Sequence, residues 1–238
     1  AVYNDVEGWQ NQQFWGSGEF TLPFGNFDVN ITVPADHILE ATGDLLNRNE
    51  VFTAEQLKRY QLAEKTFDKP VIVVTQAEAE AAEKGFSDKK KTWKFKATNV
   101  RDFGISTSRK FIYDAMAVKL ETRTAMAISL YPKEGNPLWE EYSTRMVAHT
   151  LKSYSAHTFD YPYPKAISIN AEDQGMEYPM ICWNYGRPDK NGVTSERTKN
   201  GMMSVIVHEV GHNYFPMIVN SDERQWTWMD EGLNSFLE

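Results

Sequence analysis

The stretch His208-Glu209-Val210-Gly211-His212 decides how this sequence is read. On a helix, residues four apart lie one turn apart on the same face, so His208 and His212 can present two imidazoles to one ion. Glu209 follows the first histidine and can stand beside such an ion without binding it. The surrounding sequence predicts a helix over residues 195–215, stopped by Pro216, which cannot continue it. Gly211 inside that helix costs ~1 kcal/mol relative to alanine. A packing reason is therefore expected, such as the close approach of another element.

Further along the chain lies Glu231, with eighteen residues between it and His212. It sits in Trp228-Met229-Asp230-Glu231-Gly232, at the head of a helical segment expected over residues 226–238. A turn between two helices can bring its carboxylate back to the histidines. Two histidines, one glutamate and a water make the open zinc site used for hydrolysis. His208, His212 and Glu231 are thus the candidate ligands of one Zn2+ per chain. Glu209 is the candidate base for the attacking water.

The rest of the chain supplies an α+β setting. Phe27-Asp28-Val29-Asn30-Ile31-Thr32-Val33 alternates like a strand with one wet face. Strands are also expected at 71–74, 92–100, 116–130 and 166–170, and helices at 53–65, 76–84 and 137–158. Thr53 and Gln56 have the spacing of a capping box. The β-rich character gives way near residue 117, which predicts two parts, 1–117 and 118–238. Lys89, Lys90, Lys91, Lys94 and Lys96 alternate with Trp93 and Phe95, as in a strand with a solvated lysine face. Of 238 residues, 41% are hydrophobic and 24% charged, enough for a sizeable core. The net charge of -8 argues against a nucleic-acid partner. Cys182 is the single cysteine, so no internal disulfide forms. That leaves the compartment open, with export to a periplasm or medium ahead of the cytoplasm. No apolar run reaches membrane-spanning length, and no signal peptide is visible at Ala1.

The spacing of His208, Glu209, His212 and Glu231 resembles that of the gluzincin aminopeptidases, the family of aminopeptidase N and leukotriene hydrolase. Tyr161-Pro162-Tyr163-Pro164 resembles the family's YPYP element. Gly175-Met176-Glu177 resembles the core of its GAMEN motif, and residues 24–33 and 99–103 resemble its N-terminal β domain. The resemblance implies the C-terminal part of a β domain followed by the first part of a thermolysin-like zinc peptidase domain. The chain would then be an internal piece, with the remainder of a longer parent as its structural partner. It further implies a peptide substrate whose free amino terminus is held by Glu177, with Gly175 and Met176 lining that subsite. A carboxylate at the end of a cleft pairs with an ammonium and penalises blocked peptides. Three positions depart from the motif: Gln174 stands for its first glycine, Gly175 for its alanine and Tyr178 for its asparagine, and Pro179 follows. The family's oxyanion-stabilising tyrosine lies further downstream than Glu231, with no counterpart assignable among residues 1–238. The chain on its own is therefore expected to be a poor peptidase.

Other candidates carry less. His149 and His157 lie two turns apart on one helix, about 12 Å, too far to share an ion. His37 reads as a turn residue. Asp230 points about 100° from Glu231 on a helix, as a cap or as support for a ligand. Ser235 could hydrogen-bond a ligand. Trp183, Tyr185 and Trp226 could line a cleft or pack in the core. Two rivals to an aminopeptidase remain: a thermolysin-like endopeptidase, for which the altered motif leaves room, and a non-catalytic binding or scaffold member. Loss of a ligand or of Glu209 would mark the second rival, and all four residues are present.

Overall fold

The computed structural model describes residues 2–5, 7–11, 13, 19, 22–172 and 175–238. A short hairpin, β1 (Val2–Asn4) with β2 (Gly8–Gln10), precedes the long strand β3 (Gly25–Pro34). Then come β4 (Ile38–Ala41), β5 (Asp44–Leu45), α1 (Arg48–Val51), α2 (Ala54–Ala63), β6 (Val71–Val74), α3 (Gln76–Glu83) and β7 (Lys90–Val100). Strands β8 (Ile105–Ser108), β9 (Ile112–Lys119) and β10 (Thr124–Tyr131) lead into α4 (Leu138–His157). The last elements are β11 (Lys165–Asn170), β12 (Met176–Tyr178), β13 (Ile181–Asn184), α5 (Glu196–Gly211), a π-helical turn over Trp228–Gly232, and α6 (Leu233–Leu237).

A six-stranded mixed sheet, ordered β12-β13-β11-β10-β9-β6, is the centre of the molecule. Its middle strands are apolar almost throughout because both faces are covered. Along β10, Ala125, Ala127 and Tyr131 join the core under α4 and α5. Ile128 and Leu130 turn the other way, onto α2 and the smaller sheet β3-β7-β5. On β7, Trp93 and Phe95 are buried while Lys94 and Lys96 are exposed, as the alternation predicts. The Thr53–Gln56 capping box is present at α2, and Thr75 with Glu78 forms a second one at α3.

The fold is α+β, as the sequence predicts. The change of character near residue 117 falls inside β9. That strand pairs with β10 on one side and with β6 on the other, so the sheet runs through the expected division without a break. The strands expected over 116–130 are the hairpin β9–β10, which begins earlier, at Ile112, and turns after Lys119.

Helix α4 buries Val147, Leu151 and Tyr154 along one face, spacings that suit a 3.6-residue period. Its His149 and His157 are exposed. Helix α5 starts at Ser195, whose hydroxyl accepts the Thr198 amide at 3.0 Å. It ends at Gly211, four residues short of Phe215. The amides of Asn213 and Tyr214 bond three residues back, to Val210 and Gly211, so the last turn tightens before Pro216. No helix among the described residues is long and apolar enough to cross a membrane.

Candidate metal and amine site

Helix α5 and the π-helical turn bring the three expected ligands together. His208 Nε2 lies 3.0 Å from Glu231 Oε2 and 3.0 Å from His212 Nε2. His212 Nε2 lies 3.6 Å from Glu231 Oε2. A tetrahedral zinc ion about 2.0–2.2 Å from each donor would hold such atoms roughly 3.3 Å apart. The opposite edges of the two rings fit as well. His208 Nδ1 faces Glu238 Oε2 at 3.1 Å. His212 Nδ1 donates to the Phe215 carbonyl at 2.9 Å, with Asp230 Oδ1 alongside at 2.8 Å. An acceptor at each Nδ1 keeps the proton there and leaves both Nε2 lone pairs converging on one point. These residues fit a divalent metal.

The charge balance points the same way. Hydrogen bonding to Glu231 raises the pKa of His208. Burial lowers that of His212, but Asp230 and Glu231 outweigh it and lift it well above the ordinary value. The two histidines hold the Glu231 carboxyl well below the usual carboxylate range. The corner therefore favours a positive charge among these side chains.

Glycine 211 has the packing reason expected of it. A Cβ there would collide with Asn234 Oδ1 and come 2.5 Å from the Tyr154 hydroxyl. Asn234 donates to the His208 carbonyl at 2.7 Å and accepts from Tyr154 at 3.0 Å. It thus ties α6 to the helix carrying both histidines. Sequence reading proposed Ser235 for a part of this kind. Ser235 is exposed, and its neighbour Asn234 makes the contact.

Glu209 and Glu177 face the same space from opposite sides, each only 4% exposed. Donor atoms of Glu177, Glu209 and His212 lie within 4.8 Å of one another. Glu209 Oε2 and Glu177 Oε1 have no hydrogen-bond partner among the described residues. Burial pushes the Glu177 carboxyl up to about 8 and that of Glu209 to about 7. Gly175 completes the arrangement. It holds φ +79, a conformation that favours glycine, and a Cβ there would sit 3.1 Å from Glu209 Oε1. Gln174 lies outside the described residues.

The segment after Gly175 is the β12–β13 hairpin. Glu177 opposes Cys182 on it, at the edge of the main sheet. Met176, expected to line the subsite, is partly buried on β12. Trp183 packs edge-to-face on Tyr178, with ring centres 5.4 Å apart, which favours packing over cleft lining. Trp226 is half exposed and borders a 380 Å³ cavity with Phe24, Asp222 and Met229. Tyr185 is exposed beside Arg187. His37 lies in the turn between β3 and β4, its Nδ1 3.1 Å from the Thr107 hydroxyl.

Sequence reading missed two residues outright. Arg101 and Glu223 form a buried ion pair that fastens the end of β7 to the segment leading toward Asp230 and Glu231. Their separation of 122 positions leaves no local signal.

Two histidines and a glutamate thus converge from a helix and the turn after it, a donor set that fits zinc. Comparison with solved structures shows that the fold resembles that of the M1 zinc metallopeptidases. The M1 zinc metallopeptidase of Deinococcus radiodurans superposes with a TM-score of 0.57 at 17% identity, over 92% of this chain and 40% of that one. A point mutant of the same enzyme gives 0.58 at 16% identity, over 92% and 41%. In sequence, the chain is 28% identical over 131 residues to a puromycin-sensitive aminopeptidase of Caenorhabditis elegans, covering 51% of this chain and 13% of the relative. No family model matches the chain. The chain thus resembles a part of an M1-family aminopeptidase, spanning about two fifths of the solved enzymes' length.

Proposed function

We propose that this chain carries the zinc-binding and amine-recognising parts of an aminopeptidase, which hydrolyses the amino-terminal peptide bond of peptides. The observation that carries this reading is the pair of buried carboxylates, Glu209 and Glu177, facing one another beside the convergent donor atoms of His208, His212 and Glu231. His208, His212 and Glu231 hold one zinc ion. When bound, zinc acts as a Lewis acid on the scissile carbonyl and the attacking water. Glu209 takes a proton from that water and passes it to the leaving amine. Its environment suits this part, because burial moves its carboxyl up toward neutrality, where a base can both accept and release a proton. Glu177 pairs with the substrate's ammonium, which supplies the positive charge its buried oxygen lacks. An internal or acylated peptide brings no such charge and leaves Glu177 desolvated, so it is disfavoured.

The test combines elemental analysis of the purified full-length parent protein with hydrolysis of an aminoacyl amide and its N-acetyl counterpart. One zinc per chain and cleavage of the free-amine substrate alone are expected. Equal cleavage of the acetylated substrate would turn the reading toward an endopeptidase. A metal located elsewhere, with His208, His212 and Glu231 apart, would remove it.

A further inference from the structure

The residue immediately after the second histidine of the site is built into the structure in an unexpected way. Asn213 is 1% exposed, and its carboxamide reaches three different elements. Its Nδ2 donates to the Val210 carbonyl at 3.1 Å, which fixes the orientation of the amide at the end of α5. Its Oδ1 then accepts the backbone N–H of Met180 at 2.7 Å. The Tyr161 hydroxyl lies 3.1 Å from the same oxygen. Met180 is in the turn of the β12–β13 hairpin, the hairpin that carries Glu177. Asn213 is therefore a direct polar link between the helix bearing His208, Glu209 and His212 and the hairpin bearing Glu177.

That turn needs holding. Met180 has φ 67, the left-handed region that a non-glycine residue occupies only when its surroundings over-determine it. Three contacts do so. Asn213 takes the Met180 N–H, Ile167 of β11 donates to the Met180 carbonyl at 2.9 Å, and the Thr42 hydroxyl donates to the Pro179 carbonyl at 2.8 Å. The Ile167 bond belongs to the backbone of the sheet. The Asn213 contact is the one that refers the hairpin to the helix with the histidines.

We propose that Asn213 is a positioning residue that fixes the register between the amine-binding carboxylate of Glu177 and the metal-binding helix. It thereby sets the distance from a substrate's ammonium to its scissile bond. This rests on the reading of Glu177 as the amine anchor. A shift of about 1 Å between two such groups can cost ~100-fold in rate. Without Asn213 the hairpin turn can relax away from its left-handed conformation, and Glu177 with it. The histidines, held from the other side by Asn234, stay in place.

The test measures binding rather than turnover. Zinc-loaded protein is titrated calorimetrically with leucine amide and with N-acetyl-leucine amide. Asn213→Ala is expected to retain one zinc per chain and to weaken leucine amide roughly tenfold, as loss of a hydrogen bond near a charged contact does. The acetylated probe should bind as before. Asn213→Asp, which keeps an acceptor for Met180, should recover most of the affinity. Thr42→Val touches the same turn from the other side and should weaken leucine amide by a smaller factor, about two- to fivefold. It also serves if Asn213→Ala does not fold. Parental affinities in Asn213→Ala, or in Thr42→Val where only that variant folds, would overturn the proposal. So would loss of zinc in step with loss of amide binding, which would make Asn213 a support of the helix alone. Glu177→Gln in the same titration separates the two readings. If it leaves the preference for the free amine intact, the amine reading of Glu177 fails first. If it abolishes the preference and Asn213→Ala does not, only the positioning role fails.

Discussion

Two glutamates in this molecule are almost equally buried and chemically opposite. Glu40, on β4, is 2% exposed, and both of its oxygens are answered. Lys165 reaches one at 2.5 Å and the Tyr113 hydroxyl donates to the other at 2.8 Å. Glu177, on β12, is 4% exposed, has one oxygen without a partner among the described residues, and faces a second carboxylate. A buried charge is tolerable when a counter-charge and hydrogen bonds come with it. Glu40 has these within the chain and joins β4 to the main sheet. Glu177 does not, and burial pushes its carboxyl up to about 8. Burial alone therefore does not set the state of a carboxylate; its partners do.

The comparison can be broken most severely at the site. In the full-length parent protein, Glu209→Gln should keep zinc and lose about 10²–10⁴-fold in kcat, because the amide preserves shape but cannot act as a base. Near-normal turnover would take Glu209 out of the mechanism. On the structural side, Lys165→Met leaves Glu40 buried without its cation and should cost about 3–5 kcal/mol in denaturant unfolding. The preference for a free amine should be unchanged in whatever protein remains folded. A preference that fell with stability would erase the distinction between the two glutamates.

Glu177→Gln should reverse that pattern. Stability should hold, since burial already holds this carboxyl up near 8 and largely protonated at neutral pH, while affinity for a free-amine substrate falls roughly 10–100-fold, the worth of a charge-assisted hydrogen bond. Unchanged KM would sink the assignment. The smallest effect belongs to a surface carboxylate with a full set of partners. Partial burial raises Glu78, but Arg59 and Thr75 outweigh it and hold its carboxyl at about 2. A carboxyl depressed in the folded state stabilises it above the unfolded value of about 4.5, and that stability is lost as pH falls toward 2. Glu78→Gln should therefore cost about 0.5–1 kcal/mol at pH 7, and the gap from the parent protein should close between pH 4.5 and 2. A gap that persists at pH 2 would mean the ion pair with Arg59 is not its source.

The legible parts of this molecule were those written in short-range patterns. The two histidines and Glu209 share one helix, the Thr53 cap is local, and β7 alternates, so spacing alone placed them. The β12–β13 hairpin was not legible. Its strands are three and four residues long, and Pro179 and Met180 form a turn without a glycine at its left-handed position. Strand β9 is buried at seven successive residues, so no periodicity marked its membership of the main sheet, and a division was expected inside it. Asp230 was read as a cap or as support for a ligand. Which ligand, and through which atom, depended on a π-helical turn that brings its carboxylate to His212 Nδ1. Arg101 with Glu223, and Asn213 with Met180, meet only through the tertiary fold, and nothing near them in the chain announces it.

The small knot of Asn234, Tyr154 and Gly211 has a consequence for how a metal would be held. An ion bridging His212 and Glu231 closes a loop of 19 residues. Closing one of that length from an open chain costs about 3 kcal/mol of configurational entropy. Asn234, three residues past Glu231, already grips the carbonyl of His208, so the ring is shut by protein groups before any ion arrives. The binding free energy of the ion then goes into coordination rather than into ordering the chain. An alanine at position 211 would cut that latch and leave the metal to act as the staple itself.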